Sequence, residues 1–512
     1  MSTFQRLHRK GQFMLGPPSF SSAHGWNTLQ IDADLLLAAH PDVPLSHTKK
    51  GHTSLTCLGN LLDPRAPENT NSDILNRLCD QVSQSGQLDD LLRLTDGLFG
   101  RWAIIAACGS DAILMHDAAG QRQVHYVRHE GKMYCASQAG AIAERLGFAP
   151  DPEAIRWREH MRDHLGEVFH HQFWWPGNRS MFAEVRRLLP NHVLRLRTGE
   201  ACRFFGQGSL ERRSLDEAVR VGAELMQGAL QSARHRGPLA ISCSAGWDSR
   251  AMMAASLPLR NDVLYFSRRF YYRSLRHRDL AIPRRLLARA DIRHRILNMP
   301  PAVTDEFASI YRASVDAPHE DWALMAEGLA RILPADTLIV VGNVSETCRH
   351  QYRHGGPVTH VTPEVLAQRT GMQPDPFALE AFGDWLDAAR FGESFHPFDM
   401  CQWEQRSGSW AAEMNGEVAI AHEQISAYNC RELLATLLSV DELYRRGPDH
   451  ELYQRLITHM WPDGLSEPIN PPMAPPSFLE RGLDRAKSLV RRVLPGHAAG
   501  LAKRFLRRSR GV

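Results

Sequence analysis

A short polar stretch between an apolar segment and a helical pattern carries residues suited to binding an anion. Residues 239–241 have strand character, and residues 244–249 read Ser-Ala-Gly-Trp-Asp-Ser before the helical pattern begins. Small side chains let backbone N–H groups approach an anion, hydroxyls add donors, and the helix dipole favours negative charge at its N-terminus. Ser244, Gly246 and Ser249 are therefore candidate phosphate-binding residues. The alternative is a strand-to-helix turn that binds no ligand.

Two acidic residues follow apolar segments in this part of the chain. Asp248 lies inside the polar stretch, and Glu346 follows residues 337–341, which end at Gly342. A carboxylate beside phosphate causes repulsion unless a divalent cation lies between them, so Asp248 predicts a nucleotide bound with Mg²⁺. A second carboxylate near such a loop, that of Glu346, could share the cation with Asp248 on the phosphates of a nucleotide. A loop glutamate that caps its own helix is the alternative for Glu346.

Length and composition restrict the classes of protein to which the chain can belong. Its 512 residues predict more than one domain, because single cores seldom exceed about 250 to 300 residues. The 60 Lys and Arg residues nearly balance the 57 Asp and Glu residues, which argues against a nucleic-acid partner. The nine cysteines contain no C-x-x-C pair, which argues against a disulfide framework or a zinc cluster. Without a long apolar run or a secretory signal, we expect a cytoplasmic protein with no transmembrane segment.

The apolar pattern changes near residue 205 and divides the chain into two parts. Before this point, short apolar runs such as 102–107 and 192–196 alternate with turn signals, which predicts stacked antiparallel sheets. From the N-cap candidate Ser214 a helix is expected, and strands then alternate with helices in doubly wound α/β order. Strands are expected at residues 262–267, 293–297 and 337–341, a helix at 279–289, and mostly helices after residue 376. Ligands of such sheets bind beyond the carboxyl ends of strands, where the polar stretch lies.

Both candidate loops resemble motifs of one family. Residues 244–249 resemble the S-G-G-x-D-S pyrophosphate loop of the asparagine synthetase family, with Ala245 in place of the first Gly. Residues 341–352 resemble the family's strand followed by G-x-G-x-D-E-x-x-x-G-Y, with Glu346 at the metal-proximal Asp and Val344 at a Gly. The resemblance implies an ATP-pyrophosphatase domain that binds ATP and Mg²⁺.

The first part of the chain resembles the glutaminase-like domain that precedes the synthetase domain in this family. Five segments match its motifs in order, at residues 59–63, 96–102, 117–126, 134–138 and 179–192. The resemblance implies an Ntn-hydrolase-like αββα sandwich, followed by a doubly wound ATP-pyrophosphatase domain of the adenine nucleotide alpha hydrolase-like type. The expected boundaries are 1–207 for the first domain, 208–478 for the second and 479–512 for a basic tail.

The family's glutamine-hydrolysing residue has no counterpart in this sequence. That residue is a Cys at the processed N-terminus, whose freed α-amino group acts as base. This chain begins Met-Ser-Thr and its first cysteine is Cys57, which predicts a first domain without glutaminase activity. Ser2 or Thr3 as a hydroxyl nucleophile is the alternative. In lacking the Cys, the chain resembles β-lactam synthetases and lasso-peptide cyclases, which join an amine supplied by the substrate.

The family's charge-stabilising Lys is also missing. That Lys lies near the C-terminal end of the synthetase domain, and this chain has no Lys between residues 133 and 486. Counting back from residues 461–462 places His450 at the expected position, with Arg445 nearby, and Arg250 directly follows the polar stretch. An arginine supplies a permanent charge, whereas His450 does so only when protonated. Each of the three is equally interpretable as a surface charge.

Residues at the ends of neighbouring strands are candidates for contacting adenosine. The resemblance points to Ile241, Ser242 and Phe266, with Gly342 at the end of a further strand. Ordinary core packing is the alternative for these residues.

The tail contains basic residues interleaved with apolar ones. This pattern indicates contact with an anionic membrane surface or an acidic partner, or else a solvated or frayed terminal helix. The other expected partners are small-molecule or peptide carboxylate and amine substrates and a second copy in a homodimer.

Three functions fit the sequence. The first is an ATP-dependent ligase that adenylates a carboxylate and forms an amide with an amine or ammonia. The second is a non-catalytic relative that binds a nucleotide or a partner, since the Cys and the Lys are missing. The third is asparagine synthesis with an external source of ammonia.

Overall fold

The computed structural model describes residues 4–20, 25–270, 273–316, 319–353, 358 and 360–472. The predictions for the basic tail, and for Ser2 and Thr3, lie outside these residues.

The first half of the chain contains two six-stranded antiparallel sheets. Their strands are β1 (Phe13–Gly16), β2 (Asn27–Gln30), β3 (Leu36–Ala39), β4 (Leu45–Lys50), β5 (Thr53–Leu62), β6 (Phe99–Cys108), β7 (Asp111–His116), β8 (His125–His129), β9 (Lys132–Ala136), β10 (Arg186–Arg187), β11 (His192–Arg195) and β12 (Ala201–Arg203). The first sheet has the order β10-β8-β9-β1-β3-β2 and the second β12-β11-β7-β6-β5-β4.

The two sheets stack face to face, with helices on both outer faces. Phe13 and Leu15 of β1 pack with Leu114 of β7 in the core between the sheets, because alternate residues of a strand point to opposite faces. Outside the second sheet lie α1 (Asn71–Ser85) and α2 (Asp89–Leu94), and outside the first lies α3 (Ala139–Leu146). The layers therefore have the αββα order that the resemblance implies.

The second half contains a five-stranded parallel sheet with helices on both faces. Its strands are β13 (Leu239–Ser242), β14 (Val263–Arg269), β15 (His294–Asn298), β16 (Leu338–Val341) and β17 (Gln424–Ser426). The helices after α3 are α4 (Pro152–Leu165), α5 (Phe169–Gln172), α6 (Leu215–Arg236), α7 (Trp247–Ala255), α8 (Arg278–Arg289), α9 (Asp305–Ser314), α10 (Glu320–Ile332), α11 (Pro363–Thr370), α12 (Pro376–Ala388), α13 (Pro397–Met400), α14 (Ala412–Val418), α15 (Arg431–Leu438) and α16 (Glu451–Met460). A π-helical segment, Cys401–Ala411, joins α13 to α14. Short 3-10 turns occur at Gln5–Leu7, Gly166–Val168, Leu257–Leu259, Ser345–Cys348, Glu442–Arg445 and Pro462–Leu465.

The parallel sheet is doubly wound, as the sequence predicts. Ile241 and Val340 pack with α6, α7 and α16 on one face, while Ala240 and Ile339 pack with α10 on the other. The expected N-cap of α6 is confirmed, since the Ser214 side chain accepts a hydrogen bond from the backbone N–H of Glu217. The three-residue edge strand β17 falls in a region for which the sequence predicts mostly helix.

Buried polar contacts join the two halves. Glu423, which directly precedes β17, pairs with Arg101 at 2.9 Å and with Arg122 at 2.6 Å. The Asn429 side chain accepts from the backbone N–H of Ala119 at 2.8 Å and donates to Asp117 at 2.8 Å. The residues on both sides of β17 are therefore held against the antiparallel half.

Candidate functional site

The strand order of the parallel sheet creates a crevice between two loops. The order is β15-β14-β13-β16-β17, so the chain winds outward in opposite directions from β13 and β16. Ligands of α/β sheets bind outside the carboxyl ends of the strands at such a reversal. Residues 243–246 follow β13, and residues 342–344 follow β16.

The loop after β13 is shaped by its own hydroxyl groups. The backbone N–H of Ser244 donates to Ser249 Oγ at 2.7 Å, and that of Gly246 donates to Ser244 Oγ at 3.3 Å. The Ser249 hydroxyl donates to the carbonyl of Ser242 at 3.4 Å. These bonds close the loop over the end of β13 and aim the start of α7 into the crevice.

The first turn of α7 offers hydrogen-bond donors. Its N-cap residue, Gly246, makes no side-chain cap, and no described residue accepts from the N–H groups of Trp247 and Asp248. Free N–H groups at a helix start, together with the helix dipole, attract an anion. A phosphate group suits this position.

One loop amide is already paired with an acid. The N–H of Ala245 donates to the Asp279 carboxylate, in the first turn of α8, at 3.2 Å. His277 and Arg273 lie 3.6 and 3.8 Å from the same carboxylate. A phosphate that bound the Ala245 amide would have to displace Asp279.

The two predicted metal ligands meet around a shared cation. Nη2 of Arg349 lies 2.9 Å from the Asp248 carboxylate and 3.7 Å from that of Glu346. The Ser345 hydroxyl donates to Asp248. Burial and the charge of Asp248 raise the pKa of Glu346 to about 7, against the opposing effect of Arg349. The crevice therefore holds two carboxylates and one permanent positive charge.

Close backbone contact brings the two loops together. A Cβ atom on Gly342 would lie 2.9 Å from Asp248 Cβ and 3.2 Å from the backbone nitrogen of Ser249. Only glycine fits this approach without displacing α7. Two residues later, Val344 has a φ of 81°, a left-handed conformation that is unusual for a β-branched residue and typical of glycine.

Two buried tyrosines form hydrogen bonds to the segments that border the crevice. The Tyr428 hydroxyl donates to the carbonyl of Asp248 at 3.1 Å, and the Tyr453 hydroxyl donates to the carbonyl of Ser345 at 3.0 Å. Their rings lie 6.4 Å apart, and the guanidinium of Arg349 lies 5.9 Å from the Tyr453 ring. Each carboxylate-bearing loop is thus fixed by its own tyrosine.

The donor set suits magnesium that shares its coordination with phosphates. No group of three or more metal-ligating side chains occurs in the described part of the chain, but Mg²⁺ typically uses one or two carboxylates together with phosphate oxygens and water. Asp248 and Glu346 supply two carboxylates that approach the same nitrogen of Arg349. They are the residues that would hold the ion.

The other predicted site residues lie in different surroundings. Ile241 and Phe266 are fully buried in the cores on opposite faces of the sheet. Ser242 is half-buried, and its carbonyl accepts from Ser249 within the loop. Only Ser242 and Gly342, of the candidates for contacting adenosine, border the crevice through their backbones.

The three cations predicted from the sequence make other contacts in the structure. Arg250 is buried and donates to the carbonyls of Gly464 and Glu467 at 2.6 and 2.9 Å. Arg445 is buried and pairs with Asp399 at 3.0 Å. His450 packs edge-on against Trp247 with ring centroids 5.5 Å apart, and burial lowers its pKa.

These contacts do not favour the three predicted cations. Arg250 and Arg445 have buried partners of their own, and a histidine with a lowered pKa is neutral at neutral pH. The guanidinium beside the acidic pair is Arg349, which the sequence reasoning missed. Its position three residues after Glu346 was the available signal, because residues three apart on one helical turn are neighbours.

Comparison with known proteins assigns no family. No family model matches the chain, and no curated protein gives a significant match. Among solved structures, the chain is similar to a glutamine phosphoribosylpyrophosphate amidotransferase from B. subtilis complexed with ADP and GMP, with 11% identity, a TM-score of 0.24, and coverage of 68% of this chain and 73% of that chain. It is also similar to a structure described as the allosteric regulatory enzyme of purine biosynthesis, with 10% identity, a TM-score of 0.23, and coverage of 76% and 89%. Likeness at this level assigns no activity, and the asparagine synthetase resemblance stays a prediction from the motifs.

Within the described residues, no helix combines the length and the apolar character needed to cross a bilayer.

Proposed function

We propose that the chain is an ATP-dependent, AMP-forming ligase of the asparagine synthetase type. It adenylates a carboxylate, releases pyrophosphate, and joins the acyl group to an amine or ammonia that its own first domain does not produce. The observation that carries the proposal is the meeting of Asp248, Glu346 and Arg349 beside the free N–H groups of α7.

Different residues of the crevice contribute to the adenylation step. A substrate carboxylate oxygen attacks the α-phosphorus of ATP, and the bond from that phosphorus to the bridging oxygen of pyrophosphate breaks. The N–H groups of Trp247 and Asp248 and the guanidinium of Arg349 stabilise the charge that develops on pyrophosphate. Asp248 and Glu346 would hold magnesium, which would neutralise phosphate charge.

One observation favours the second candidate, a non-catalytic relative that binds a nucleotide or a partner. The loop amides of Ser244, Ala245 and Gly246 all have partners within the protein, one of them the carboxylate of Asp279. A loop whose amides are already paired is stable without a ligand.

Pyrophosphate release distinguishes the two candidates. Wild type and Asp248→Ala are incubated with ATP, magnesium and a panel of carboxylates and amines that includes aspartate with ammonia. The ligase predicts release that depends on a carboxylate and is lost in Asp248→Ala. Binding of ATP without release under any condition supports the non-catalytic relative, and glutamate formed from glutamine would contradict the inactive first domain.

A further inference from the structure

A cavity of about 320 Å³ adjoins the crevice on the side of Glu346. This volume is near the lower end of the range for ligand sites, about 300 to 1,000 Å³. Met161, Leu165, Trp174 and Met372 contribute an apolar wall. The exposed Gly371 lies at its rim. The cavity is large enough for a small organic molecule and is lined mainly by chain outside the phosphate-binding loop.

An arginine without an acidic partner lines this cavity. Arg406 donates to the carbonyl of Gln172 at 3.3 Å and to its Oε1 at 2.6 Å. No carboxylate of the described residues lies within ion-pair distance of Arg406. Its guanidinium carbon lies 4.3 Å from the ring centroid of Trp410 and 5.8 Å from that of Trp174. A partly buried guanidinium that is paired only with neutral groups favours an anionic ligand.

Groups near Arg406 change its pKa without forming an ion pair with it. Burial lowers the pKa of Arg406, while Tyr352, Glu346 and Glu413 raise it. A guanidinium remains charged at neutral pH even after such a shift. The positive charge is therefore present in the cavity without an ion pair to a carboxylate of the described residues.

A second polar side chain in the wall has an acceptor without a hydrogen-bond partner. Gln402 is 5% exposed, and its Oε1 has no hydrogen-bond partner among the described residues. Gln402, Arg406 and Trp410 are four residues apart within the π-helical segment. The i→i+5 bonding of a π-helix widens the turn, so residues four apart share a face, and such segments are frequent at functional sites. This segment presents an acceptor, a cation and an aromatic ring to one cavity.

From these contacts we infer that the cavity binds a small organic carboxylate with a flat apolar body and a hydrogen-bond donor. The carboxylate pairs with Arg406, the body packs against Trp174 and Met372, and the donor bonds to Gln402 Oε1. Arg406 thereby selects the ligand by charge. The inference rests on the proposed function in that such a molecule would be the ligase's substrate.

Calorimetry with a matched pair of probes tests the inference on the full chain without ATP. The probes are 4-aminobenzoate and 4-aminobenzamide, which share a ring and a donor and differ in charge. Wild type is expected to bind the carboxylate at least about tenfold more tightly, since hydrogen bonds to charged groups are the stronger ones. Arg406→Gln should abolish this preference, Arg406→Lys should retain part of it, and the exposed-pair control Arg220→Gln should keep it unchanged.

The ratio of the two affinities separates selection from a structural role, because a folding defect weakens both probes alike. If Arg406→Gln does not fold, the ratio of the two affinities in wild type and in Arg406→Lys still tests the inference. Equal binding of both probes by wild type overturns the inference, as does a preference that survives in folded Arg406→Gln or the absence of saturable binding in the millimolar range. Binding of magnesium-ATP to wild type, titrated separately, reports on the proposed function alone.

Discussion

At the scale of single residues, the guanidinium of Arg349 determines the electrostatics of the crevice. It contacts both carboxylates, which would otherwise repel each other, and burial alone would favour protonation of Glu346. In the proposed reaction, the same cation would stabilise negative charge on the departing pyrophosphate. Arg349 thus partly neutralises the two carboxylates and is also the source of positive charge in the crevice.

Replacing Arg349 should weaken the binding of pyrophosphate. Arg349→Gln removes charge-assisted hydrogen bonds worth about 1.5 to 3 kcal/mol, so the affinity for pyrophosphate with magnesium should fall at least about tenfold. Isothermal calorimetry measures the change, with Arg220→Gln as control because Arg220 lies in an exposed i,i+4 pair. An unchanged affinity in Arg349→Gln would assign Arg349 a purely structural role.

The sequence identifies the acidic residues of the crevice more readily than its cation. Asp248 stands out because it follows an apolar strand at a small-residue turn, and Glu346 because residues 341–352 resemble a family motif. Arg349 does not, since its role depends on how the turn Ser345–Cys348 folds back towards α7. Arg250 lies next to the loop in sequence, yet its side chain is committed to the carbonyls of Gly464 and Glu467.

At the scale of elements, the close approach of the loop after β16 to α7 fixes the geometry of the crevice. A Cβ on Gly342 would meet Asp248 at 2.9 Å, so Gly342→Ala should displace the start of α7 and the Asp248 carboxylate with it. Small displacements of this kind cost large factors in rate or affinity. We expect the affinity for magnesium-ATP to fall at least about tenfold in a calorimetric titration.

A second glycine provides the matched control. Gly383 lies in α12, where an added Cβ would meet only Pro363 Cγ at an ordinary 3.8 Å. Gly383→Ala should leave nucleotide affinity unchanged and stabilise the helix by up to about 1 kcal/mol. Equal nucleotide affinity in Gly342→Ala and wild type would show that the crevice does not depend on this approach.

In helix α14, burial raises the pKa of Glu413 to about 7, despite Arg187 at 3.4 Å. The folded pKa exceeds the ordinary value of 4.5, so the folded state holds its proton longer and loses stability as pH rises from about 4.5 through about 7. Glu413→Gln removes this loss, which amounts to about 3 kcal/mol. The melting temperature of the variant relative to wild type should therefore rise between pH 5 and pH 8. A relative melting temperature that stays constant with pH, as expected for the exposed control Glu224→Gln, would contradict the assignment.

Most elements follow from apolar periodicity, and the exceptions have physical causes. The apolar runs of β6 and β16 are long or apolar enough to predict these strands without knowledge of their partners. Strand β17 has three residues and forms because Ile339 and Val341 of β16 pair with it, a partner that no local pattern reveals. The π-helical segment likewise depends on packing between the two halves, where Trp403 donates to the carbonyl of Ala118 at 2.8 Å.

At the scale of the whole molecule, Glu423 connects the antiparallel half to the parallel sheet. Two arginines of the first half pair with it, and their charges lower its pKa in spite of burial. Glu423→Ala would leave Arg101 and Arg122 buried without an acidic partner and should reduce the free energy of unfolding by about 3 kcal/mol or more. Denaturant titration measures this change, and Glu224→Ala, in the exposed pair with Arg220, should cost less than about 1 kcal/mol. Equal effects of the two variants would contradict the connecting role of Glu423.

Binding of magnesium with α,β-methylene-ATP, an analogue that cannot release pyrophosphate, tests the central claim most directly. Calorimetric titration of wild type should give saturable binding that requires magnesium, and Asp248→Asn should weaken it at least about tenfold because the metal-facing charge is lost. Absence of binding in wild type, or equal affinity in Asp248→Asn, would contradict a nucleotide site at the crevice.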